Sequence, residues 1–382
     1  MRIYWLTSSL KLLNCNKNIL RPTGVHRNLS ATVQTNGENT QVTPPPPVIE
    51  TVENNNKNPQ QQRALHIAVI GVPNVGKSTF INNIINHKVC PTSAKVHTTR
   101  KANTAILTTG QTQLVFYDTP GLVTQNEIRK HHLEQSFKSA YRHAIQHADI
   151  IAVMQDASNS WTRKELHPTV LDTLKAYAQL PSFLVLNKVD ALKSKRVLLD
   201  LIKTLTNDTL NGKRPSKKAD LPSREEQATA GHPLNKRETS WNHFSDVFLV
   251  SSITGSGLQE LQDYLISAAK PRGWRYAANV YTDEKPESLI VESVRARLLD
   301  YLPQEIPYNL KCELEYYNVE KHVVYTSVVV QCPTPRIERL ICGESNGKLR
   351  QITERVTSDL VEMFGQAVSL TISTISGGKK KA

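Results

Sequence analysis

Short apolar runs separated by amphipathic stretches dominate the chain from residue 64 to residue 270. Runs of this kind flanked by turn residues predict buried strands, and the amphipathic stretches between them predict helices. Strands that alternate with helices indicate an α/β domain, in which a mostly parallel, doubly wound sheet has helices on both faces. The predicted strands are Leu65–Ile70, Gln113–Tyr117, Ile150–Met154, Phe183–Leu186 and Val247–Val250.

The pattern changes after Lys270, and residues 271–382 predict a connector, an α+β domain and a basic tail. A predicted helix at Glu287–Leu302 precedes two predicted strands, Leu310–Tyr316 and Val323–Val330, and the first of them alternates apolar with charged positions. A helix, a glycine-bearing turn, a longer helix and the strand Val368–Thr374 follow. This order is that of a type II KH domain, a module that binds RNA. A helix-turn-helix without a role in nucleic-acid binding is the alternative.

The strongest chemical signal is an octapeptide directly after the first predicted strand. It matches the phosphate-binding loop pattern G-x-x-x-x-G-K-[ST], in which backbone N–H groups and the positive end of a helix dipole face the phosphates. The lysine of this pattern can reach the β- and γ-phosphates, and the hydroxyl after it can bind Mg²⁺. The loop and the residue that follows it are Gly71, Val72, Pro73, Asn74, Val75, Gly76, Lys77, Ser78 and Thr79.

Two further motifs follow later strands in the order that a guanine-nucleotide site needs. The first has a carboxylate that can hold Mg²⁺ and a glycine N–H that can bind the γ-phosphate. The second ends in a carboxylate that can accept hydrogen bonds from guanine N1–H and the exocyclic amine, a donor pair that adenine does not offer. Alone, the first motif is also an ordinary turn and the second an ordinary solvated loop. The motifs are Asp118, Thr119, Pro120 and Gly121, with Leu122 next, and Asn187, Lys188, Val189 and Asp190.

Weaker signals complete the predicted site. Ser251 and Ser252 follow the last strand of the first domain, where a backbone N–H can reach guanine O6, although Ile253 departs from the usual pattern. A further Mg²⁺ contact is expected from Thr98 or Thr99, of which we favour Thr99, and an ordinary polar loop is the alternative for both. The predicted Mg²⁺ ligands are therefore Ser78, Thr99 and Asp118.

Composition separates the beginning of the chain from the rest. Residues 1–37 contain five basic residues and no Asp or Glu, with apolar residues interleaved, which is typical of a mitochondrial transit peptide. A merely basic tail is the alternative. Residues 38–63 are rich in Pro, Asn and Gln and predict a disordered linker before a first domain at 64–270. A polar stretch at 207–246 predicts a surface insertion, either solvated or in contact with RNA.

Net charge, apolar run length and cysteine content limit the classes of protein that fit this sequence. The formal net charge is +13, from 47 basic and 34 acidic residues, and it is +8 (42 − 34) without the first 37 residues. A charge of this sign indicates a polyanionic partner, either RNA or an anionic lipid surface. No apolar run has the length, about 18 residues, of a spanning helix. The five scattered cysteines are typical of a reducing compartment.

The motifs together resemble those of the Era GTPase family, in particular its mitochondrial branch in animals. The resemblance extends from about Leu65 to Thr374, apart from the insertion, and includes Thr98–Arg100 and Leu302–Tyr308. It implies a switch that binds GTP or GDP, binds the 3′ region of small-subunit ribosomal RNA and assists assembly of the mitochondrial small ribosomal subunit. Together with the predicted transit peptide it indicates a place in the mitochondrial matrix, and the basic charge adds peripheral association with the inner membrane as a further expectation.

The resemblance also assigns roles to residues. Lys77, Asn74 and Gly121 are expected to be catalytic, and Asn74 matches the asparagine with which similar GTPases hold K⁺, so Mg²⁺ and K⁺ are the expected cofactors. Leu122 stands where Ras-like proteins have a glutamine that orients water, which predicts slow intrinsic hydrolysis of GTP to GDP and phosphate. The expected RNA-binding residues are Gly343, Asn346, Gly347, Lys348 and Arg350, with Asn346 in place of the second glycine of the family's turn.

Two other functions fit the same motifs. A GTPase that modifies transfer RNA would share Asn74 and Leu122, but it needs a further catalytic or folate-binding region that is not visible in the sequence. An RNA chaperone with vestigial GTP hydrolysis would use the nucleotide only to stabilise its fold. Phosphate release measured with and without small subunits distinguishes this chaperone from an assembly GTPase.

Overall fold

A computed structural model describes residues 61–93, 95, 99, 102–123, 136–210, 238–303 and 306–376, with side chains described throughout except at residues 136–140. The predicted transit peptide, most of the predicted linker, the middle of the insertion and the basic tail lie outside these ranges. Thr98 and Arg100 also lie outside them.

The first domain is built on a largely parallel sheet, which has seven strands in the described part of the chain. Its strands are β1 (Arg63–Ile70), β2 (Asn103–Thr109), β3 (Thr112–Asp118), β4 (Ile150–Asp156), β5 (Ser182–Asn187), β6 (Phe244–Leu249) and β7 (Lys270–Pro271). Their order is β2-β3-β1-β4-β5-β6, and β1 is parallel to both β3 and β4. Strand β2 is antiparallel to β3, and the short β7 is antiparallel to the beginning of β1.

Helices cover both faces of this sheet and bury two separate cores. Alternate residues of β1 point to opposite faces, so Ile67 joins one core and Ala68 the other, and the strand is apolar on both sides. One core packs on α1 (Lys77–Ile84) and the last helix of the domain; the other packs on the remaining three helices. These later helices are α2 (Ser136–Gln146), α3 (Pro168–Ala176), α4 (Arg196–Thr206) and α5 (Leu258–Ala268). The predicted doubly wound α/β fold is confirmed.

Two boundaries of the first domain differ from those expected from composition. Gln62 is buried, and its Oε1 accepts a hydrogen bond from Trp274 N at 3.1 Å. The Arg63 guanidinium donates to the carbonyls of Ala269 and Ser267 at the end of α5. The end of the predicted linker therefore belongs to the folded domain, because these polar side chains bond to its backbone rather than to solvent.

The insertion is also shorter than expected. Strand β6 begins at Phe244, three residues before the predicted strand at Val247. Trp241 N donates to Leu205 O at 2.9 Å, and Thr209 Oγ1 donates to Asn242 O at 3.0 Å. Hydrogen bonds therefore join the ends of the insertion to α4 and to each other. Polar composition does not reveal these bonds, because both of them end on backbone carbonyls, which every residue has.

The second domain has the predicted KH order of elements. Its elements are α6 (Pro286–Tyr301), β8 (Lys311–Glu320), β9 (Val323–Cys332), α7 (Pro335–Cys342), α8 (Gly347–Phe364) and β10 (Ala367–Ser376). Strand β9 lies in the centre, antiparallel to β8 and parallel to β10. The three helices cover one face of the sheet, around Ile290, Val328 and Val356. One parallel and one antiparallel pairing agree with the type II KH topology expected from the sequence.

The described residues include no helix with both the length and the apolar character that crossing a membrane requires. The carboxyl ends of the parallel strands β1, β3, β4 and β5 meet at one edge of the first sheet. Ligands of doubly wound folds bind at this edge, and each motif found in the sequence directly follows one of these strands or β6.

Candidate nucleotide-binding site

The predicted phosphate loop joins β1 to α1 and wraps the amino end of that helix. Gly76, the residue before α1, has a φ of 94°, and a Cβ atom there would come within 2.5 Å of Asn187 Nδ2. Only glycine fits both the left-handed backbone and this close approach. Asn74 also has a left-handed backbone, with a φ of 62°. The loop therefore directs the unpaired N–H groups of α1 toward one cleft, an arrangement that suits an anion.

Lys77 is enclosed by this loop and is only 7% exposed. Its Nζ donates to Gly71 O at 3.2 Å and to Val72 O at 3.1 Å. Burial lowers the pKa of Lys77 to about 8, although the nearby Asp118 carboxylate raises it in part. The ammonium group thus lies where phosphate oxygens could replace the two carbonyls and compensate its charge.

Three oxygen-bearing side chains converge at the beginning of α1. Ser78 Oγ donates to Asp118 Oδ2 at 2.6 Å, and Thr99 Oγ1 lies 3.2 Å from Ser78 Oγ and 3.4 Å from Asp118 Oδ2. Hydroxyl and carboxylate oxygens are the ligands that Mg²⁺ prefers. The three residues predicted as Mg²⁺ ligands are therefore neighbours, although they come from three different segments of the chain.

The Asp118 carboxylate is fully buried. Its second oxygen, Oδ1, is also relevant to whether a metal ion fits this site. Burial raises the pKa of Asp118, while the Ser78 hydroxyl and the Lys77 charge lower it in part. Asp118 Oδ1 accepts no hydrogen bond of ordinary geometry within the described ranges. The Cys90 thiol lies beside the carboxylate, and its pKa is well above the usual value because of burial and this charge. A buried carboxylate oxygen that lacks a hydrogen bond of ordinary geometry is a group that a divalent cation would satisfy.

The segment after β3 lies against the phosphate loop. Thr119 Oγ1 donates to Val69 O at 2.7 Å, and Leu122 N donates to Gly71 O at 2.9 Å. A Cβ atom on Gly121 would come within 2.7 Å of the Pro73 backbone nitrogen. Leu122 packs in the core beside α2 and is 2% exposed, so its side chain has no access to a water molecule in the cleft.

Asn187, at the end of β5, connects the phosphate loop to the loop after β6. It is buried, its Nδ2 donates to Val75 O at 2.7 Å, and its Oδ1 accepts from Ser252 N at 3.0 Å and from Ser252 Oγ at 2.8 Å. Ser251 is also buried and accepts from Thr254 N through its hydroxyl at 3.1 Å. One amide side chain thus fixes three segments of the site.

Lys188 and Asp190 point in different directions from the short 3₁₀ turn that follows β5. Lys188 Nζ donates to Asn74 O at 2.7 Å and forms a 2.7 Å ion pair with Asp156 Oδ2. The Asp190 side chain is exposed. An exposed carboxylate in this turn is available to accept hydrogen bonds from a bound base.

The sequence reasoning missed several residues that support the site. Asp156 pairs with Lys188, and Asn83 in α1 donates through Nδ2 to Ser252 O at 2.7 Å. The carboxylate at the end of β4 could have been noticed by its position, because it ends a strand at the edge where the other motifs lie. The sequence does not indicate the role of Asn83, because its side chain contacts a backbone carbonyl and belongs to no motif.

Residues of the loop before Thr99 were also missed, and they link the two domains. Ser93 and Lys95 border the same cleft as Thr99. The Ser93 hydroxyl donates to Asp300 Oδ1 at 2.6 Å, and Lys95 Nζ donates to Leu302 O. The loop that could contact a nucleotide is therefore bonded to the end of α6 in the second domain.

A buried ion cluster adds to this contact between the domains. Lys88 Nζ lies 2.7 Å from Asp359 Oδ1 and 2.9 Å from Glu362 Oε2, and Arg297 pairs with the other oxygen of Asp359. Burial alone would raise the pKa of Asp359, but the hydrogen bonds and charges of Arg297 and Lys88 bring it below the usual value. The carboxylate is therefore held ionised between two cations.

The glycine-bearing turn of the KH domain has an asparagine with a left-handed backbone in place of its second glycine. Gly343 has a φ of 71°, and a Cβ atom there would come within 2.7 Å of Lys348 Cβ. Asn346 adopts a left-handed backbone with a φ of 60°, which asparagine tolerates better than most residues. Gly347 is an ordinary helical residue with a φ of −62°. Arg350 is exposed and forms a 2.8 Å ion pair with Glu354 one turn later.

Comparisons with known proteins agree with this arrangement. A family model described as "50S ribosome-binding GTPase" matches residues 66–188. The chain is 35% identical over 338 residues to "GTPase Era, mitochondrial" of Danio rerio, a match that covers 82% of this chain and 76% of that protein. It is 29% identical over 359 residues to the protein of the same description from Caenorhabditis elegans, covering 83% and 91%. The fold resembles a solved structure described as Era in complex with MgGDPNP and nucleotides 1506-1542 of 16S ribosomal RNA, with a TM-score of 0.64, 20% identity and coverage of 82% and 94%.

Proposed function

The chain belongs to the Era family of GTPases, and from this premise we propose that it is a nucleotide-controlled RNA-binding protein that assists assembly of the mitochondrial small ribosomal subunit. It binds the 3′ region of small-subunit ribosomal RNA through its KH domain, and the nucleotide in the first domain sets how firmly the RNA is held. The solved Era complex with 16S ribosomal RNA supports RNA as the partner.

The convergence of Lys77 with the oxygen atoms of Ser78, Thr99 and Asp118 at the amino end of α1 supports this proposal most directly. Nucleotide binding by the purified protein tests it. GDP and GTP bind, and ADP and ATP compete poorly, because Asp190 accepts hydrogen bonds that only guanine donates. Equal affinity for both bases, or no detectable binding of either, overturns the proposal.

The donor set of Ser78, Thr99 and Asp118 fits Mg²⁺, and a solved Era structure with MgGDPNP supports this cofactor. When bound, the ion neutralises charge on the β- and γ-phosphates. The protein supplies the remaining contacts. Lys77 moves from its two loop carbonyls to phosphate oxygens, and the Gly121 N–H donates to the γ-phosphate.

Hydrolysis of GTP relies on positioning and charge, because Leu122 is a core residue and orients no water. Asn74 borders the cleft together with Lys77 and Ser78, and it would hold K⁺ as a second cofactor that supplies positive charge. Single-turnover hydrolysis in K⁺ and in Na⁺ tests this role. The rate is higher in K⁺, and Asn74→Ala removes the difference. Fast hydrolysis in Na⁺ that is insensitive to Asn74→Ala overturns the role of K⁺.

Nucleotide control works through the loop that contains Thr99 and the segment that contains Gly121. Both are held while GTP is bound and are released with phosphate, and the second domain then reorients. Phosphate release measured with and without small subunits tests this step. Stimulation by subunits supports an assembly GTPase. An unchanged, near-zero rate supports the alternative of an RNA chaperone with vestigial hydrolysis.

The mitochondrial relatives support a mitochondrial place for the chain, and we assign it to the matrix. The net charge of +8 that remains without residues 1–37 also allows peripheral association with the anionic matrix face of the inner membrane. Flotation with cardiolipin-containing liposomes at low and high salt tests this association. Binding that high salt abolishes supports it, and absence of binding at low salt excludes it.

A further inference from the structure

The face of the KH sheet that points away from its helices is exposed and partly apolar. Alternate residues of β9 point to this face, and Tyr325 among them is 41% exposed. In the register of the sheet, Tyr316 of β8 lies opposite Ser327, and Ile375 of β10 lies opposite Gln331. Tyr316 is 51% exposed and Ile375 is 55% exposed. Large side chains exposed together on one sheet face favour a binding surface over a merely solvated one.

A bulge in β8 adds a charge to this aromatic surface. The register shifts between Leu314 and Tyr316, so that two residues of β8 meet one residue of β9. Tyr316 is the register partner of Ser327, and Glu315 Oε2 accepts from Ser327 Oγ at 2.9 Å. The bulge thus turns Glu315 to the same face as Tyr316.

The charges on this face are mostly negative, in a protein whose net charge is +13. Glu313 accepts from Gln331 Nε2 at 2.8 Å, and Glu320 accepts from Asn318 Nδ2 at 2.6 Å, so the glutamates are hydrogen-bonded to neutral side chains. All three glutamates are exposed. Among the outward positions of the three described strands, Lys311 is the one cation.

The segment around the glycine-bearing turn has the opposite charge balance. Residues 335–355, which form α7, the turn and the first part of α8, contain five arginine or lysine residues and three glutamates. RNA phosphates are attracted to this segment and repelled by the outward sheet face. The turn segment and the sheet face therefore suit partners of opposite charge.

We propose that the outward face of the KH sheet docks a basic protein segment, of the lysine- and arginine-rich kind that ribosomal proteins contain. Lysine and arginine side chains can lay their apolar stems on Tyr316 and Tyr325 and pair their charged ends with the glutamates. An anionic lipid surface is excluded by the same carboxylates that exclude RNA. The inference depends on the proposed function in one respect, which is that the basic segment belongs to the small ribosomal subunit.

Variants of the full chain test the proposal. One neutralises the face (Glu313→Gln, Glu315→Gln, Glu320→Gln), and one removes its rings (Tyr316→Ser, Tyr325→Ser). A matched control neutralises three exposed carboxylates of the first domain (Glu165→Gln, Asp172→Asn, Asp200→Asn). The probes are a synthetic peptide of alternating lysine, arginine and leucine, protein-free small-subunit ribosomal RNA, and intact small subunits.

We expect both sheet variants to weaken peptide binding about tenfold, since each removes several modest contacts, and the control to leave it unchanged. Co-sedimentation with small subunits falls in parallel, whereas affinity for protein-free RNA stays the same. The proposal is overturned if neither peptide binding nor co-sedimentation responds more to the sheet variants than to the control. It is also overturned if RNA affinity falls in the sheet variants, or if the face proves to bind a second copy of the chain in sedimentation.

The test of the sheet face and the test of the proposed function can fail independently of each other. If the unmodified chain fails to bind small subunits, the assembly role fails, and the peptide measurements still decide whether the sheet face recognises basic segments.

Discussion

The Ser93 hydroxyl donates a 2.6 Å hydrogen bond to Asp300, which joins the border of the nucleotide cleft to the last turn of α6. Thr99, six residues further along the same loop, lies within 3.4 Å of Asp118 Oδ2. A displacement of this loop on nucleotide exchange is therefore transmitted to the second domain through a direct bond.

Ser93→Ala removes this bond to Asp300 and also the 3.1 Å hydrogen bond that Ser93 Oγ accepts from Lys95 N. We expect the ratio of RNA affinities with a GTP analogue and with GDP to fall about fivefold, at the lower end of typical coupling between sites. Fluorescence anisotropy with labelled ribosomal RNA measures the ratio. Ser267→Ala is the control, because that hydroxyl donates to Tyr264 O within α5, away from the second domain. An unchanged ratio in Ser93→Ala would show that coupling takes another route.

Asp359→Ala leaves Lys88 and Arg297 without their shared buried carboxylate. Breaking a buried ion pair from one side typically costs about 3 to 5 kcal/mol of unfolding free energy. We expect a loss at the lower end of this range, because both cations are slightly exposed and each keeps a second carboxylate, Glu362 for Lys88 and Asp300 for Arg297. Urea unfolding measures it. In the control, Glu354→Ala breaks the exposed pair with Arg350 and should change the free energy by less than about 0.5 kcal/mol. Equal effects of the two substitutions would contradict the structural role of the cluster.

Asp190→Asn replaces an acceptor for two guanine donors with a side chain that has one acceptor and one donor group. We expect the affinity for GDP to fall about 100-fold, because one guanine donor is left unpaired and faces another donor. Isothermal titration calorimetry measures the change. Asp200→Asn, an exposed position in α4, makes the same chemical change outside the site and should have no effect. Retained guanine preference in Asp190→Asn would remove this residue from base recognition.

Nucleotide binding should take up a proton above neutral pH. The pKa of Lys77 is about 8 in the nucleotide-free protein, mainly because of burial, and phosphate charges raise it on binding. The affinity for GDP therefore decreases as the pH rises through about 8. Calorimetry near this pH in buffers of different ionisation enthalpy measures the uptake. Lys175→Met, an exposed lysine, should behave like the unmodified chain. Heats that are independent of the buffer would contradict the assignment to Lys77.

Glu344→Gln removes a negative charge from the turn between α7 and α8. We expect affinity for small-subunit ribosomal RNA to rise by roughly threefold to tenfold, because a carboxylate beside the phosphate path opposes binding. Filter binding across a salt series measures this, and the gain should shrink at high salt as charges are screened. Glu260→Gln in α5 is the control. A loss of affinity in Glu344→Gln would place the RNA away from this turn.

Much of the architecture could be predicted because both faces of the first sheet are covered. A strand such as β1 is then apolar throughout and stands out from its surroundings. Strand β2 was missed because Asn103–Thr109 is rich in threonine and lies at the edge of the sheet, where burial fades toward its end. The boundary at Gln62 was missed for a related reason, since a polar side chain can be buried when a backbone group meets it.

The predicted nucleotide-site residues are close in space, because each motif directly follows a strand of the same sheet. Their roles stay predictions until nucleotide binding is measured. Contacts such as that of Asn83 with Ser252 O, or of Ser93 with Asp300, could not be predicted from the sequence, because they depend on how distant segments pack. The register that places Tyr316 diagonally beside Tyr325, with Ile375 further along the same face, became visible only with the three strands in place.

Gln62 and Arg63 are hydrogen-bonded to the carboxyl-terminal part of the first domain. These bonds have a consequence for proteolytic maturation. A peptidase that removed either residue would leave Trp274 N and the carbonyls at the end of α5 without their partners. A mature protein that keeps these contacts therefore begins at or before Gln62, whichever site is cleaved.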